Sequence, residues 1–178
     1  MNIPNLNSRR NFIATSLKGA AVVSVGAAAI STILNPLEAL AQTSNAALQA
    51  QIAKLGTASL QTSQLALTKG TNPEVKMFAK FEAAEQATMG KILKDMGTPT
   101  PAPSPEGTAL LNKLQALSGA AFDKAFMQGQ VDTHQKLHTA VAALNAAGDI
   151  HVKHVTSLAL ATITEHTQRG QMLLSKLG

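Results

Sequence analysis

Residues 118–138 read SGAAFDKAFMQGQVDTHQKLH, and this stretch decides the fold of the chain. Its histidines His134 and His138 lie four residues apart, which places both imidazoles on one side of a helix. Polar groups on an apolar face need hydrogen-bonding or ionic partners. The stretch therefore predicts a helix whose histidines meet side chains of other helices. Apolar residues with the three-to-four-residue period of a helix face mark the side that packs: Phe122, Phe126, Val131, Leu137 and Val141.

The same stretch carries a family resemblance. Its Gly-x-x-Phe-Asp piece at residues 119–123, together with the glutamines and histidines that follow, resembles the signature helix of domain-of-unknown-function family 4142. The likeness spans roughly residues 46–177. It implies an exported bacterial protein, often described as an outer-membrane protein, with a ferritin-like helical bundle. The resemblance implies a fold and a compartment more than a reaction.

Length and composition limit the classes of protein that need to be considered. The 178 residues predict one globular domain. The chain has no cysteine, which excludes disulfides, thiolate metal sites and a lipoprotein anchor. The formal charge is +5, of which residues 1–41 contribute +2, and the chain has no Trp or Tyr. Because stacking aromatic side chains are nearly absent and the charge is mild, we expect no nucleic-acid partner.

The first 41 residues are typical of an export signal. Residues 8–13 read SRRNFI, the pattern of a twin-arginine signal, and residues 39–41 read ALA, an A-x-A cleavage site. The apolar run between them, residues 19–34, is shorter than the roughly 20 residues of a membrane span. We expect residues 1–41 to be a twin-arginine signal peptide and residues 42–178 to be exported. The expected location is the periplasm, or otherwise a secreted or outer-membrane-associated state.

Two other interpretations of this leader remain open. The apolar run could be retained as a membrane anchor, or the protein could be exported by the general route with a chance pair of arginines. The twin-arginine route carries folded proteins, and one reason to use that route is the loading of a cofactor before export. After cleavage no integral membrane span is expected, and the sequence does not identify an envelope partner.

The exported part predicts four long helices and one short one. The predicted long helices cover residues 45–69, with Asn45 as the N-cap, then 73–96, 119–147 and 150–177. A Pro-rich connector at residues 97–105 and a short helix to residue 117 join the second long helix to the third. The predicted fold is all-α, a ferritin-like four-helix bundle with a short crossover helix.

Three ionisable side chains interrupt the apolar faces near the midpoints of their helices: Glu85, His134 and His166. Each lies within three residues of a helix midpoint, or about 5 Å along the axis, so the three are predicted to meet at one level. Imidazole and carboxylate ligands suit iron, zinc, manganese or copper. We therefore expect a possible transition-metal site at these three residues, with further ionisable groups at its periphery: Glu82, His138 and Glu165.

The two glutamates of the second helix are interpreted differently. Glu82 is predicted to lie at the boundary between the apolar and the exposed face of the helix, with its carboxylate reaching solvent. Apolar residues flank Glu85 on both sides, so Glu85 is the predicted member of the site. The first helix has no Asp or Glu and can offer only hydroxyls at that level, such as Ser59. A ferritin-like di-iron site needs two Glu-x-x-His pairs, and the chain contains none. The resemblance also implies Asp-His where this chain has Glu85-Gln86.

Two functions remain open on these grounds. One is an exported bundle that binds a transition metal in its core. The other is a non-catalytic structural or interaction protein of the cell envelope, in which the same side chains form an inert buried polar network. No catalytic residue is predicted, because Ser118 and Ser157 lack a nucleophile-elbow context and no glycine-rich phosphate loop occurs. His151 and His154 are expected to face water.

Overall fold

The computed structural model describes the backbone of residues 36–178 and the side chains of residues 44–178. The predicted twin-arginine motif and apolar run lie outside the described residues. The described chain forms helices and loops with no strand, which confirms the all-α prediction. The helices, in chain order, are α1 (Pro36–Lys69), α2 (Pro73–Asp95), α3 (Pro105–Ala116), α4 (Gly119–Ala147) and α5 (Ile150–Leu177).

Capping residues set where the later helices begin. The side chain of Asn72 accepts hydrogen bonds from the first turn of α2, and Pro73 follows at the first helical position. Asp149 accepts in the same way from the first turn of α5. Gly119 opens α4 with a φ of 59°, a left-handed conformation that favours glycine.

The predicted start of the first helix is wrong. Asn45 is not an N-cap, because α1 begins at Pro36 and runs through it without a break. The predicted cleavage site at residues 39–41 therefore lies within the first turns of this helix. The Asn45 side chain instead donates a hydrogen bond of 3.4 Å to the carbonyl oxygen of Ala147 at the end of α4.

The long helices pack side by side. Three residues join α1 to α2 and two join α4 to α5, so each pair is antiparallel. α1 also packs against α4, and α3 packs against both of them. The approach of α3 to α4 is close: a Cβ atom at Gly129 would lie 2.8 Å from the Leu110 side chain. Between α2 and α5 the exposed pair Glu74 and Lys176 makes a 2.9 Å ion pair.

A polar layer divides the core into two apolar clusters. One cluster comprises Ile52, Ala53, Leu93, Leu137, Ala140, Val141, Leu144, Ala159 and Ile163. The other comprises Ala66, Val75, Phe78, Ala79, Leu114, Phe122, Phe126, Met127 and Leu173. Buried polar residues lie between the two clusters along α1, α2 and α4: Ser59, Thr62, Ser63, Glu82, Gln130, Thr133 and His134. Burying so many polar groups is costly unless they are paired, so each group in this layer needs a partner.

No helix among the described residues is both long enough and apolar enough to cross a lipid bilayer.

Candidate metal centre

The candidate site is built around the carboxylate of Glu82, which is fully buried. The prediction that Glu82 reaches solvent is wrong. Val75, Phe78 and Ala79 are buried on the same face of α2 and turn Glu82 inward with them. Since three residues turn a helix by about 300°, Glu82 and Glu85 point roughly 60° apart. Helix α2 is rotated so that Glu82 enters the core, while 30% of the Glu85 side chain stays exposed.

One carboxylate oxygen of Glu82 is held by the first helix. Ser59 Oγ donates a 2.6 Å hydrogen bond to Glu82 Oε1 and also lies 2.7 Å from the side chain of Gln130. A serine hydroxyl has only one proton to donate. That proton is therefore shared between two acceptors, Glu82 Oε1 and Gln130 Oε1, while Gln130 Nε2 donates to the hydroxyls of Thr62 and Ser63. The contact with Glu82 confirms that Ser59 lies at the level of the site.

The other carboxylate oxygen of Glu82 faces two imidazoles. Its Oε2 lies 3.3 Å from His134 Nε2 and 2.7 Å from His166 Nδ1. The three atoms all lie within 4.8 Å of one another. Although the distances are short, none of the three atoms has a hydrogen-bond partner among the residues that the structure describes. Three buried ligand atoms thus converge on one point at ion-pair distances, with no other partner among the described residues.

His134 is held in one tautomer by its own helix. Its Nδ1 lies 2.8 Å from the backbone carbonyl oxygen of Gln130. A carbonyl oxygen only accepts hydrogen bonds, so Nδ1 carries the proton. In neutral His134 the lone pair is then on Nε2, the atom that faces Glu82. Two acceptors that face each other in a buried site require a proton or a cation between them.

His166 is positioned in a similar way from α5. Its Nδ1 faces Glu82, while its Nε2 lies 3.6 Å from Glu85 Oε2 and 3.4 Å from Glu165 Oε2. The ring also packs edge-on against Phe78 and against His134, with centroid distances of 5.5 and 5.4 Å. Each imidazole therefore offers one nitrogen to the centre and turns the other toward an acceptor.

The charges of these groups stabilise one another. Burial alone raises the pKa of Glu82, but the two imidazoles and Ser59 outweigh it and hold the pKa far below its ordinary value. Burial lowers the pKa of His166, and the carboxylates of Glu82, Glu85 and Glu165 outweigh that effect, so its pKa lies above the ordinary value. The site thus favours an ionised carboxylate together with a positive charge beside it.

The structure brings together only part of the predicted set. His134 and His166 converge, and Glu82 takes the central place that was predicted for Glu85. Glu85 and Glu165 stay at the rim beside His166, with 46% of the Glu165 side chain exposed. His138 was predicted at the periphery, but its side chain is exposed and does not join the buried group. Four residues turn a helix by about 400°, and the extra 40° carries His138 off the buried face.

Sequence reasoning missed Gln130 as a member of the site. Its amide links Ser59, Thr62 and Ser63 of α1, and its backbone carbonyl fixes His134. Its position four residues before His134 was an available signal, because that spacing places both on one helix face. The exposure predicted for His151 and His154 is confirmed.

Comparison with known proteins supports the family resemblance. The model of a family described as a domain of unknown function (DUF4142) matches residues 35–173, more than three quarters of the chain. No curated protein and no solved structure gives a significant match. The comparison therefore assigns no activity to the chain.

Proposed function

The chain belongs to the DUF4142 family, and we propose that it binds one transition-metal ion through Glu82, His134 and His166. The observation that carries the proposal is the convergence of Glu82 Oε2, His134 Nε2 and His166 Nδ1, three buried atoms without a hydrogen-bond partner among the described residues. A cation at their centre would satisfy all three at once. The Gln130 carbonyl and the rim carboxylates would orient the two imidazoles, as outer groups do around metal-bound histidines.

Two imidazoles and one carboxylate narrow the choice of metal. Ca²⁺ and Mg²⁺ prefer sites made of oxygen atoms, so they fit this set poorly. Zinc and iron(II) are the usual ions of centres with two histidines and one carboxylate. Manganese and copper accept the same ligands. We place zinc and iron(II) first and treat the ion as bound within an exported, non-catalytic protein.

The proposal includes the fold and the compartment. We propose a ferritin-like four-helix bundle made by α1, α2, α4 and α5, with α3 as the short crossover helix. The order of the helices and the short loops in each antiparallel pair support it.

We also propose twin-arginine export to the periplasm. Replacement of Arg9 and Arg10 by lysine is expected to leave an uncleaved precursor in the cytoplasm, and processed periplasmic protein in a strain without that translocase would refute this route.

One observation favours the alternative of an inert polar network. The contact of 2.7 Å between Glu82 Oε2 and His166 Nδ1 is short enough for an ion pair in which a proton takes the place of a metal. In that case the layer would only fix how the helices pack, and the protein would be a structural or interaction component of the cell envelope. Metal binding and the response to single substitutions separate the two functions.

The test is a calorimetric titration of metal-depleted protein with Zn²⁺, and with Fe²⁺ under anaerobic conditions. We expect one ion per chain. His134→Ala removes a ligand and is expected to weaken binding by more than about a hundredfold, because even substitutions of outer groups cost 10–100-fold. His138→Ala is the matched control, since it removes an exposed imidazole one turn away. If neither ion binds, or if both variants weaken binding equally, the centre is not at these residues.

A further inference from the structure

A second feature of the interior lies next to the metal centre and is not explained by it. An apolar, partly enclosed cavity of about 370 Å³ opens between α1, α2, α4 and α5 at the end of the molecule where α2 stops. Buried side chains of the first apolar cluster form its walls, among them Ala53, Leu93, Leu137 and Ala159. Residues 98–101 of the Pro-rich connector complete the wall. Thr98 ties this connector to α1 by a 3.1 Å hydrogen bond to Gln49.

The lining of the cavity extends along α2. Its lining residues on α2 extend from Glu85 to Met96, which is about 16 Å along the helix axis. Spread over that length, the volume leaves room for one hydrocarbon chain and not for two. An engineered core cavity of about 150 Å³ holds a benzene molecule, so this one accommodates roughly 15 non-hydrogen atoms. That size corresponds to a single chain of about ten to twelve carbons with a small head group.

The charges around the cavity are unequal at its two ends. Lys91 and Lys94 line it toward the end of α2, and neither forms an ion pair within the part of the chain that the structure describes. At the other end Glu85 lies beside His166. An anionic head group would be attracted to the lysine end and repelled by the carboxylate end, which sets the direction of a bound amphiphile.

We propose that this cavity binds a medium-chain fatty acid, with the alkyl chain in the apolar interior and the carboxylate beside Lys91 and Lys94. The apolar walls bury the alkyl chain of the ligand, and this burial is the main source of affinity. The two lysines supply selection for a negative head group. This site lies beyond the metal centre and does not depend on it.

The first test compares three probes by calorimetry, all below their micelle concentrations. Decanoate combines the chain with an anionic head, decyltrimethylammonium has the same chain with a cationic head, and butyrate has the anionic head with a short chain. We expect decanoate to bind with one molecule per chain and more tightly than decyltrimethylammonium, and butyrate not to bind. Equal binding of decyltrimethylammonium would overturn the role of the lysines, and no binding of decanoate would overturn the site.

The second test changes the site itself. Replacing Lys91 and Lys94 together by glutamine is expected to weaken decanoate binding about fivefold, the effect of losing exposed ion pairs. The matched control replaces Lys76 and Lys80, two exposed lysines of the same helix that do not line the cavity. Unchanged binding in the first double variant, or equal loss in the control, would overturn the assignment of the head group.

Filling the cavity tests the position of the chain. Ala159→Leu places a larger side chain in the interior and is expected to weaken decanoate binding about tenfold through overpacking against the ligand. Ala53→Leu, from the facing wall, is the second variant should the first fail to fold, as judged by circular dichroism. Full affinity in a folded variant would overturn the location. Decanoate binding should persist in Glu82→Gln, and its loss there would assign the head group to the metal centre instead.

Discussion

Among the residues whose side chains the structure describes, two carboxylates are buried, Glu82 and Asp123, and their hydrogen-bond partners differ. Asp123 receives hydrogen bonds from the loop before α2: the backbone N–H of Thr71 at 3.0 Å, its hydroxyl at 2.5 Å and the backbone N–H of Asn72 at 2.8 Å. Glu82 receives one hydrogen bond, from Ser59, and its second oxygen has only two imidazoles beside it, at 3.3 and 2.7 Å.

The comparison separates a structural carboxylate from a candidate ligand. Both oxygens of Asp123 are satisfied by donors that exist only when α4 meets the loop between α1 and α2. Asp123 therefore secures one end of the fold, and this explains the Asp in the Gly-x-x-Phe-Asp piece. The second oxygen of Glu82 has only the two imidazoles beside it, the arrangement from which metal binding is proposed. Burial alone does not identify a functional carboxylate, whereas an unmet partner for a buried oxygen does.

The largest expected effect concerns Asp123. Asp123→Ala leaves several backbone and hydroxyl donors of the loop without an acceptor, which should lower the free energy of unfolding by about 3 kcal/mol. The loss should be the same with and without Zn²⁺, because the loop lies away from the metal centre. Chemical denaturation of metal-free and metal-loaded samples measures it. A loss that appears only in one of the two states would break the distinction between the carboxylates.

The matched substitution at the other carboxylate is Glu82→Gln. It keeps the size of the side chain and removes the negative ligand. The metal-free variant should lose only the pairing of Glu82 with His166, and the amide replaces part of that loss by donating to His134 Nε2. The wild-type protein should gain about 2.7 kcal/mol of stability at a hundredfold excess of Zn²⁺ over its Kd, and the variant should lose that gain. Strong destabilisation of the metal-free variant would favour the inert network.

A smaller effect is expected from pH, with opposite signs in the two states. Without metal, the raised pKa of His166 gives stability that is complete below its ordinary value of 6.5 and lost as pH rises through the folded value. The lowered pKa of Glu82 gives stability that is present above its ordinary value of 4.5 and lost in acid. Metal-free protein should therefore melt higher near about pH 6 than near pH 8.5.

With Zn²⁺ the order should reverse, since protonated imidazole cannot bind a metal and affinity falls as pH drops. Thermal melts at the two pH values, with and without the ion, measure both signs. Glu82→Gln is the control, because it removes the first carboxylate acting on His166. If the melting temperature changes with pH in the same direction with and without Zn²⁺, the positive charge at the site is a proton in both states. That result would contradict metal binding at these residues.

Most of the helices and their boundaries could be predicted from the sequence. The periodic apolar residues of α4, such as Phe122 and Phe126, are all buried as predicted. Turn and capping residues marked the loop before α2 and the start of α5. The start of α1 was not accessible, because Asn45 is a good capping residue that the longer helix simply includes. Local propensity does not decide between two possible starts of one helix.

The candidate site could be predicted from the sequence only in part, because the rotation of α2 about its own axis was not known. Matching depth along the helices correctly grouped His134 with His166. Whether Glu82 or Glu85 joins them depends on a turn of about 60° in α2, and apolar residues flank both positions. That rotation is set by packing against α1 and α4, where Ser59 and His134 face Glu82. Pairings between distant helices of this kind are not encoded in the periodicity of one helix.

The most direct test of the metal centre is an anomalous difference map from crystals of the protein grown with Zn²⁺, recorded on both sides of the zinc absorption edge. We predict one peak per chain, about 2.0–2.2 Å from Glu82 Oε2, His134 Nε2 and His166 Nδ1. Asp123 should have no peak beside it. Two findings together would contradict the proposal. The map would show no peak beside the three atoms, and His166 Nδ1 would be hydrogen-bonded to Glu82 Oε2.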